Sequence, residues 1–187
     1  MTIRTVFLDR DGVLNADSAE YILRPQDVRI LPGVPEALRR LTDAGIRSII
    51  ISNQSAVGRG LMSRRAAEDI FQMVIHAAES AGGKITDHYY CPHTKEDACS
   101  CRKPGTRLFG KAAEDHAFPI AESAFIGDGF GDAGAAAKLG IPFYLVQQGW
   151  WEKARAFCEK NKVPYTLVPH LGAAVDDILH QTREERS

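Results

Sequence analysis

Residues 3–15 read IRTVFLDRDGVLN. Ile3–Leu8 is a short, β-rich apolar run that breaks at Asp9-Arg10-Asp11, with Gly12 to turn the chain. Continuous apolarity over so few residues marks a strand buried on both faces, because a half-exposed strand would alternate. The pattern recurs in RSIIISNQ (47–54), where the strand Arg47–Ile51 runs into Ser52-Asn53-Gln54, and in SAFIGD (123–128), where Ser123–Ile126 runs into Gly127-Asp128. Helical periodicity separates these strands. Val34, Leu38, Leu41 and Ala44 lie on one face of a helix over Val34–Ala44, and Gly45 stops it. Ser63 can cap a helix reaching about Ala81, ended by Gly82-Gly83. Further strands are expected at Ile85–Tyr90, Phe143–Val146 and Tyr165–Val168, and helices at Thr106–His116, Asp132–Leu139, Trp150–Lys160 and Leu171–His180. Buried strands alternating with helices give an α/β fold, a Rossmann-like parallel sheet covered by helices on both faces. Ligands of such sheets bind at the carboxyl ends of the strands, where all three polar clusters fall.

The chain has 187 residues, enough for a single domain over 1–187 with a sizeable core. Apolar residues make up 44% and charged residues 25%, which excludes disordered, collagen-like and coiled-coil chains. Lys and Arg total 23 against 24 Asp and Glu. A net charge of -1 provides no global field for nucleic acid or anionic lipid, so neither partner is expected. No apolar run approaches a membrane span, and no signal peptide opens the chain, so a cytoplasmic location is expected. The last six residues, TREERS, read as a frayed tail.

Two carboxylates at one strand end, Asp9 and Asp11, repel unless a cation lies between them. Mg²⁺ suits oxygen donors of this kind. A metal-bound Asp can attack phosphorus, and a neighbouring Asp can protonate the leaving oxygen and deprotonate water. Ser52 and nearby backbone N–H groups can hold phosphoryl oxygens. Lys103 can offset their charge. Asp128 can complete the Mg²⁺ site, and Asp132 stands where it could cap the following helix. Each residue alone has a plainer reading: a turn for Asp9–Gly12, a cap for Ser52, an exposed loop lysine for Lys103. It is their order and their common position at strand ends that point to phosphoryl chemistry.

Three of four cysteines crowd into Cys91-x-His93-x₅-Cys99-x-Cys101. Three thiolates and an imidazole form a closed tetrahedral set suited to structural Zn²⁺. Lys103 lies two residues beyond Cys101, so the metal would fix an otherwise unstructured loop. His76 lies in a helix; Met62 and Met73 are expected to pack, the pair Trp150-Trp151 to pack rather than stack on a ligand, and Cys158 to be a buried small hydrophobe. No dinucleotide or P-loop motif is present.

The series D-x-D, S, K, G-D-x-x-x-D resembles the haloacid dehalogenase superfamily of aspartate-nucleophile phosphohydrolases. FLDRDGVLN, SNQSAVGRG, YYCPH, CSCRKPG and GDGFGD are similar, within it, to the branch of heptose-bisphosphate and histidinol-phosphate phosphatases. The resemblance covers about residues 3–150. It implies that Asp9 is the nucleophile and Asp11 the acid/base. Asp9, the Asp11 backbone carbonyl and Asp128 would bind Mg²⁺. Ser52 and Lys103 would hold the phosphoryl group, and Arg102 would help to recognise substrate. Asp17, Ser18, Asn53, Gln54, Ser55 and Arg59 are further candidate substrate contacts. Gly129 stands where the branch commonly has Lys. A phospho-accepting receiver domain is disfavoured: its phosphorylated Asp lies mid-chain and its Lys follows the hydroxyl late. A binding module without catalysis would not need Asp9, Asp11 and Asp128 together.

Between Asp11 and Ser52 lie 40 residues, and between Ser52 and Lys103 lie 50, too few for a cap domain. Closure over a small substrate therefore falls to the loops 15–26 and 55–60 and the Cys-rich loop. These are expected to bring Arg24, Arg59 and Arg102 to the site, more cations than one phosphate needs. A sugar bisphosphate is the substrate so implied, with a monomer as the working unit.

Overall fold

In the computed structural model, residues 2–18 and 20–184 are described. The elements in chain order are β1 (Thr5–Leu8), α1 (Val34–Asp43), β2 (Arg47–Asn53), α2 (Ser55–Gly58), α3 (Arg64–Glu79), β3 (Asp87–Cys91), α4 (Arg107–Asp115), β4 (Ser123–Gly127), α5 (Phe130–Leu139), β5 (Phe143–Val146), α6 (Trp151–Asn161), β6 (Thr166–Val168) and α7 (Leu171–Glu184). Their boundaries follow local chemistry. Gly33 enters α1 in the left-handed region at φ 78°, and Val34, Ala37, Leu38 and Leu41 give that helix a buried stripe. Ser63 Oγ accepts from the Ala66 N–H at the start of α3, as the sequence predicts.

All six strands are parallel, in the order β3-β2-β1-β4-β5-β6. Side chains alternate between two layers. Val6, Leu8, Ile50, Ile126 and Val146 pack with Leu38, Leu41, Phe71 and Val175 under α1, α3 and α7. Phe7, Ile49, Ile51, Phe125 and Leu145 pack with Phe109, Ala133, Ala154 and Cys158 under α4, α5 and α6. Phe109 sits edge-on to Phe7 at 4.9 Å and to Phe125 at 5.1 Å between ring centroids. The expected fold class is therefore the one observed.

Differences from the sequence reading are local. A one-turn helix, α2, forms directly after Gln54. The helix α5 begins at Phe130, two residues before the expected Asp132, because the Asp132 carboxylate accepts from the Gly129 N–H at 3.0 Å and closes the first turn. The helix α7 continues to Glu184, with Thr182 buried and its Oγ1 donating to the Ile178 carbonyl; residues 185–187 of the expected tail lie outside the described residues. Met73 is exposed rather than packed, whereas Met62 and Cys158 are buried. Among the described residues no helix is long and apolar enough to cross a membrane.

The strand order reverses between β1 and β4. Leu8 is in register with Ile50 on one side and Ile126 on the other. Asp9, Ser52 and Asp128 thus leave three neighbouring strands at nearly the same height, beside the crevice that a topological switch point creates.

Candidate active site

Asp9 follows β1 directly, its N–H held by the Ile126 carbonyl at 3.0 Å. Asp9 Oδ1 accepts from the Arg10 N–H at 2.7 Å and from Lys103 Nζ at 2.9 Å. Lys103 is buried, and its ammonium also reaches Asp132 Oδ1 at 2.7 Å and the Ile51 carbonyl at 2.8 Å. Three acceptors use all three of its donors. Burial opposes that charge, but the Asp132 and Asp9 carboxylates outweigh it and hold the lysine above its ordinary pKa. Asp9 receives only part of this compensation. Burial, with Asp132 and Asp11 nearby, pushes its carboxyl up to about 7 despite Lys103.

Asp128 is pushed up to about 9, first by burial and then by Asp9 and Asp132. Its Oδ2 accepts from the Trp150 N–H at 3.3 Å. A Cβ at either Gly12 or Gly149 would collide with this carboxylate, and both glycines have positive φ, 77° and 49°. Side-chain-free backbone on both sides is therefore what admits Asp128. Carboxylate oxygens of Asp9, Asp128 and Asp132 lie within 4.8 Å of one another. Asp132 both caps α5 and belongs to this cluster, a double role that spacing alone does not reveal.

Asp11 points elsewhere. Its carboxylate takes a fork from Arg10, at 2.9 and 2.8 Å from Nη2, together with Asn15 Nδ2 at 2.8 Å and Gln54 Nε2 at 3.0 Å. Burial raises its pKa, but Arg10 and these hydrogen bonds prevail and hold it below the usual carboxylate range. Arg10 itself is buried and stacks 5.0 Å over the Phe71 ring. The same Gln54 amide donates to Ser52 Oγ at 2.9 Å, which leaves the Ser52 proton free for another acceptor. Asn53 is spent on Lys103: its Oδ1 accepts from the Lys103 N–H at 3.0 Å, and its Nδ2 donates to the Lys103 carbonyl at 3.2 Å.

The second cluster closes just upstream of Lys103. Cys91 Sγ lies 3.5 Å from His93 Nδ1, 3.5 Å from Cys99 Sγ and 3.3 Å from Cys101 Sγ; Cys101 Sγ lies 3.2 Å from His93 Nδ1. A tetrahedron with metal bonds of about 2.0–2.3 Å has edges of about 3.3–3.8 Å, so the set fits one Zn²⁺ with no position left for water. Burial pushes the Cys91 and Cys101 thiols up, and only Cys99 is lowered, to about 7, where backbone N–H groups outweigh its desolvation. A cation is what would let all three ionise together. The loop is tied to its neighbours as well. The Gln54 N–H donates to the Cys91 carbonyl at 2.8 Å, the Gly58 N–H to the Pro92 carbonyl at 2.8 Å, and Arg102 Nη1 to the His93 carbonyl at 3.2 Å.

A cavity of about 590 Å³ opens over these groups, lined by Asp9, Asp11, Ser52, Lys103 and Asp128. Of the expected substrate contacts, Asp17, Ser18, Asn53, Gln54, Ser55 and Arg102 line it and Arg59 does not. Arg59 turns to Glu96, at 3.9 Å, and Arg24 is forked onto Asp27 at 2.9 Å. The expected surplus of arginines thus shrinks to Arg102, because the other two find local carboxylates. Sequence reading did not find Lys95, which lines the cavity from the Cys-rich loop. It also did not find a wall of Tyr21, Phe130 and Trp150. The expectation that Trp150 packs is corrected: it is half exposed, and only Trp151 packs against the core.

Comparison with known proteins agrees with this geometry. Residues 3–140 match the haloacid dehalogenase-like hydrolase family. A protein of Thermoplasma volcanium named probable D-glycero-D-manno-heptose-1,7-bisphosphate 7-phosphatase is 37% identical over 146 residues, 78% of this chain and 99% of that one. The D-glycero-beta-D-manno-heptose-1,7-bisphosphate 7-phosphatase of Bordetella bronchiseptica is 34% identical over 154 residues, 82% of this chain and 86% of the relative. A crystal structure of D,D-heptose 1,7-bisphosphate phosphatase from B. bronchiseptica, complexed with magnesium and phosphate, superposes with a TM-score of 0.88 at 31% identity, covering 96% of this chain and 99% of the other. With its sheet order, its strand-end carboxylates and these relatives in agreement, the chain belongs to the haloacid dehalogenase-like hydrolase family.

Proposed function

We propose that the chain is a Mg²⁺-dependent phosphatase that removes the 7-phosphate of D-glycero-D-manno-heptose 1,7-bisphosphate through an aspartyl phosphate. The observation that carries this reading is the meeting of the Asp9 and Asp128 carboxylates with the Lys103 ammonium at the switch point. An all-oxygen set whose carboxylates are driven toward protonation by burial and mutual repulsion suits a hard divalent cation. Asp9, the Asp11 backbone carbonyl and Asp128 would hold Mg²⁺, which when bound neutralises charge on phosphoryl oxygens.

With Asp9 Oδ1 committed to Lys103 and the Arg10 N–H, Oδ2 is the oxygen free to attack phosphorus. The Oδ2–phosphorus bond forms as the ester bond breaks, and Asp11 gives a proton to the departing alkoxide. Asp11 then takes a proton from water, whose oxygen attacks phosphorus. The acyl-phosphate bond breaks, inorganic phosphate leaves, Asp9 is restored, and Asp11 returns its proton to solvent and takes one up again when the next phosphate arrives. The hydrogen bonds that keep Asp11 ionised at rest favour the water-activating half. For the first half, the charge of an arriving phosphate opposes that ionisation. Ser52 and the Lys103 charge would steady the transferring phosphoryl group.

The names of the Thermoplasma and Bordetella relatives support the heptose substrate, as do Arg102 and Lys95 in the cleft, two cations that no carboxylate pairs with among the described residues. A monomer suffices, since one chain supplies every group. Histidinol phosphate is the second reading, favoured by one observation: the Asp17 carboxylate on the cavity wall suits a cationic amine. The test is kcat/KM for heptose 1,7-bisphosphate, histidinol phosphate and fructose 1,6-bisphosphate with Mg²⁺, and with Arg102→Ala alongside. The heptose bisphosphate should lead, and Arg102→Ala should erode its lead. Histidinol phosphate winning by about tenfold, a difference of ~1.4 kcal/mol, would overturn the substrate assignment.

A further inference from the structure

Six large hydrophobic side chains are exposed among the described residues: Tyr21, Leu61, Met73, Phe130, Trp150 and Leu167. The three aromatic ones all line the cavity that holds Asp9. Phe130 is 54% exposed and Trp150 50%. Large rings left in water cost apolar surface that packing would normally cover, so three in one cleft mark a ligand-facing wall. Trp150 is also fixed in place. Its backbone N–H donates to Asp128 Oδ2, and the indole neighbours the Asp17 carboxylate. Gly129, between Asp128 and Phe130, adds no side chain, so nothing from that position screens the wall.

We propose that Trp150, with Phe130, is the specificity-determining platform on which the leaving group stacks, and that this leaving group presents a ring-shaped polyol and carries no cationic group. The proposal rests on the phosphatase reading above. The C–H face of a sugar ring carries slight positive charge and meets the negative face of an aromatic ring, while its hydroxyls can donate to Asp17 or Ser18 at the same wall. A cationic leaving group is disfavoured: the Lys153 ammonium already sits 4.1 Å over the Trp150 ring centroid. An open-chain ester offers no flat C–H face to stack.

The experiment compares kcat/KM for a cyclic sugar phosphate with that for glycerol phosphate in the wild type, Trp150→Ala and Trp150→Phe, all with Mg²⁺. The cyclic-over-acyclic ratio should fall about tenfold in Trp150→Ala and largely recover in Trp150→Phe. The chain has 2 tryptophans, so Trp151→Phe leaves Trp150 as the sole indole. In an Asp9→Asn, Trp151→Phe protein, its emission should change on adding the cyclic sugar phosphate and not on adding inorganic phosphate. If the wild type hydrolyses sugar phosphates but neither the ratio nor the emission moves, the platform is wrong and the phosphatase reading stands. If Trp150→Ala depresses histidinol phosphate as much as the sugar, the polyol assignment is wrong. If no phosphate ester is turned over, both readings fall.

Discussion

Two side chains between strand ends decide what the carboxylates can do. Asn53 clasps the Lys103 backbone with two hydrogen bonds, so Asn53→Ala should lower kcat about ten- to a hundredfold with little change in thermal stability, and Asn53→Asp should not restore it. Unchanged kcat in Asn53→Ala would remove that residue from the positioning of Lys103. The raised carboxylates make a second prediction. Asp9 sits at about 7 and Asp128 at about 9 in the cation-free site. An acid whose pKa is higher folded than unfolded stabilises the fold below its unfolded value, and that contribution is lost as pH rises toward the folded one. The protein in chelator should therefore lose stability from about pH 4 to about pH 9, and the rise in Tm given by Mg²⁺ should widen over the same range. A Mg²⁺ effect on Tm that is flat with pH would contradict this. At this scale the convergence of Asp9, Asp11, Ser52 and Asp128 was legible because each ends or borders an apolar run, and that of Lys103 because it follows the Cys/His cluster. The second role of Asp132, the Arg10–Asp11 fork and the diversion of Arg24 and Arg59 to local acids were not, since they depend on side-chain directions that spacing does not encode.

The Cys-rich loop carries Lys103 and, beyond Cys91 at the end of β3, has neither helix nor strand of its own. Its four candidate ligands already stand at tetrahedral spacing, and Lys103 follows two residues later. We expect one Zn²⁺ per chain by elemental analysis of untagged protein. Removing it should cut kcat by more than tenfold while the far-ultraviolet circular dichroism stays close to native, because of the four ligands only Cys91 belongs to a strand. Full activity after verified zinc removal would show that the loop holds Lys103 unaided. The helices and strands themselves were legible almost throughout, since capping by Ser63, the stops at Gly45 and Gly140 and the continuous strands are local signals. The one-turn helix α2 escaped detection because four residues carry no periodicity, and its place is set by the contact of Gly58 with Pro92.

Both helical layers share one sheet, and the same strands supply both the core and the site. We propose a single folding unit, for which chemical denaturation followed by fluorescence and by circular dichroism should give coincident transitions. The strand order that places β1 beside β4 also puts Asp9 beside Asp128, so fold and function rest on the same crossover. That much was implicit in three apolar runs ending in acids or hydroxyls. What lines the cleft from afar, Tyr21, Lys95, Phe130 and Trp150, became visible only when distant loops met in space. The proposed mechanism turns on Asp9 as the nucleophile of a phosphoryl transfer. It is tested most directly by phosphate release from heptose 1,7-bisphosphate in the presence of Mg²⁺ by Asp9→Asn, with mass spectrometry excluding deamidation back to Asp. Because the uncatalysed barrier to phosphate ester hydrolysis is so high, the expected loss is about a thousandfold or more. Retention of more than about a twentieth of wild-type turnover, on that same scale of barriers, would contradict it.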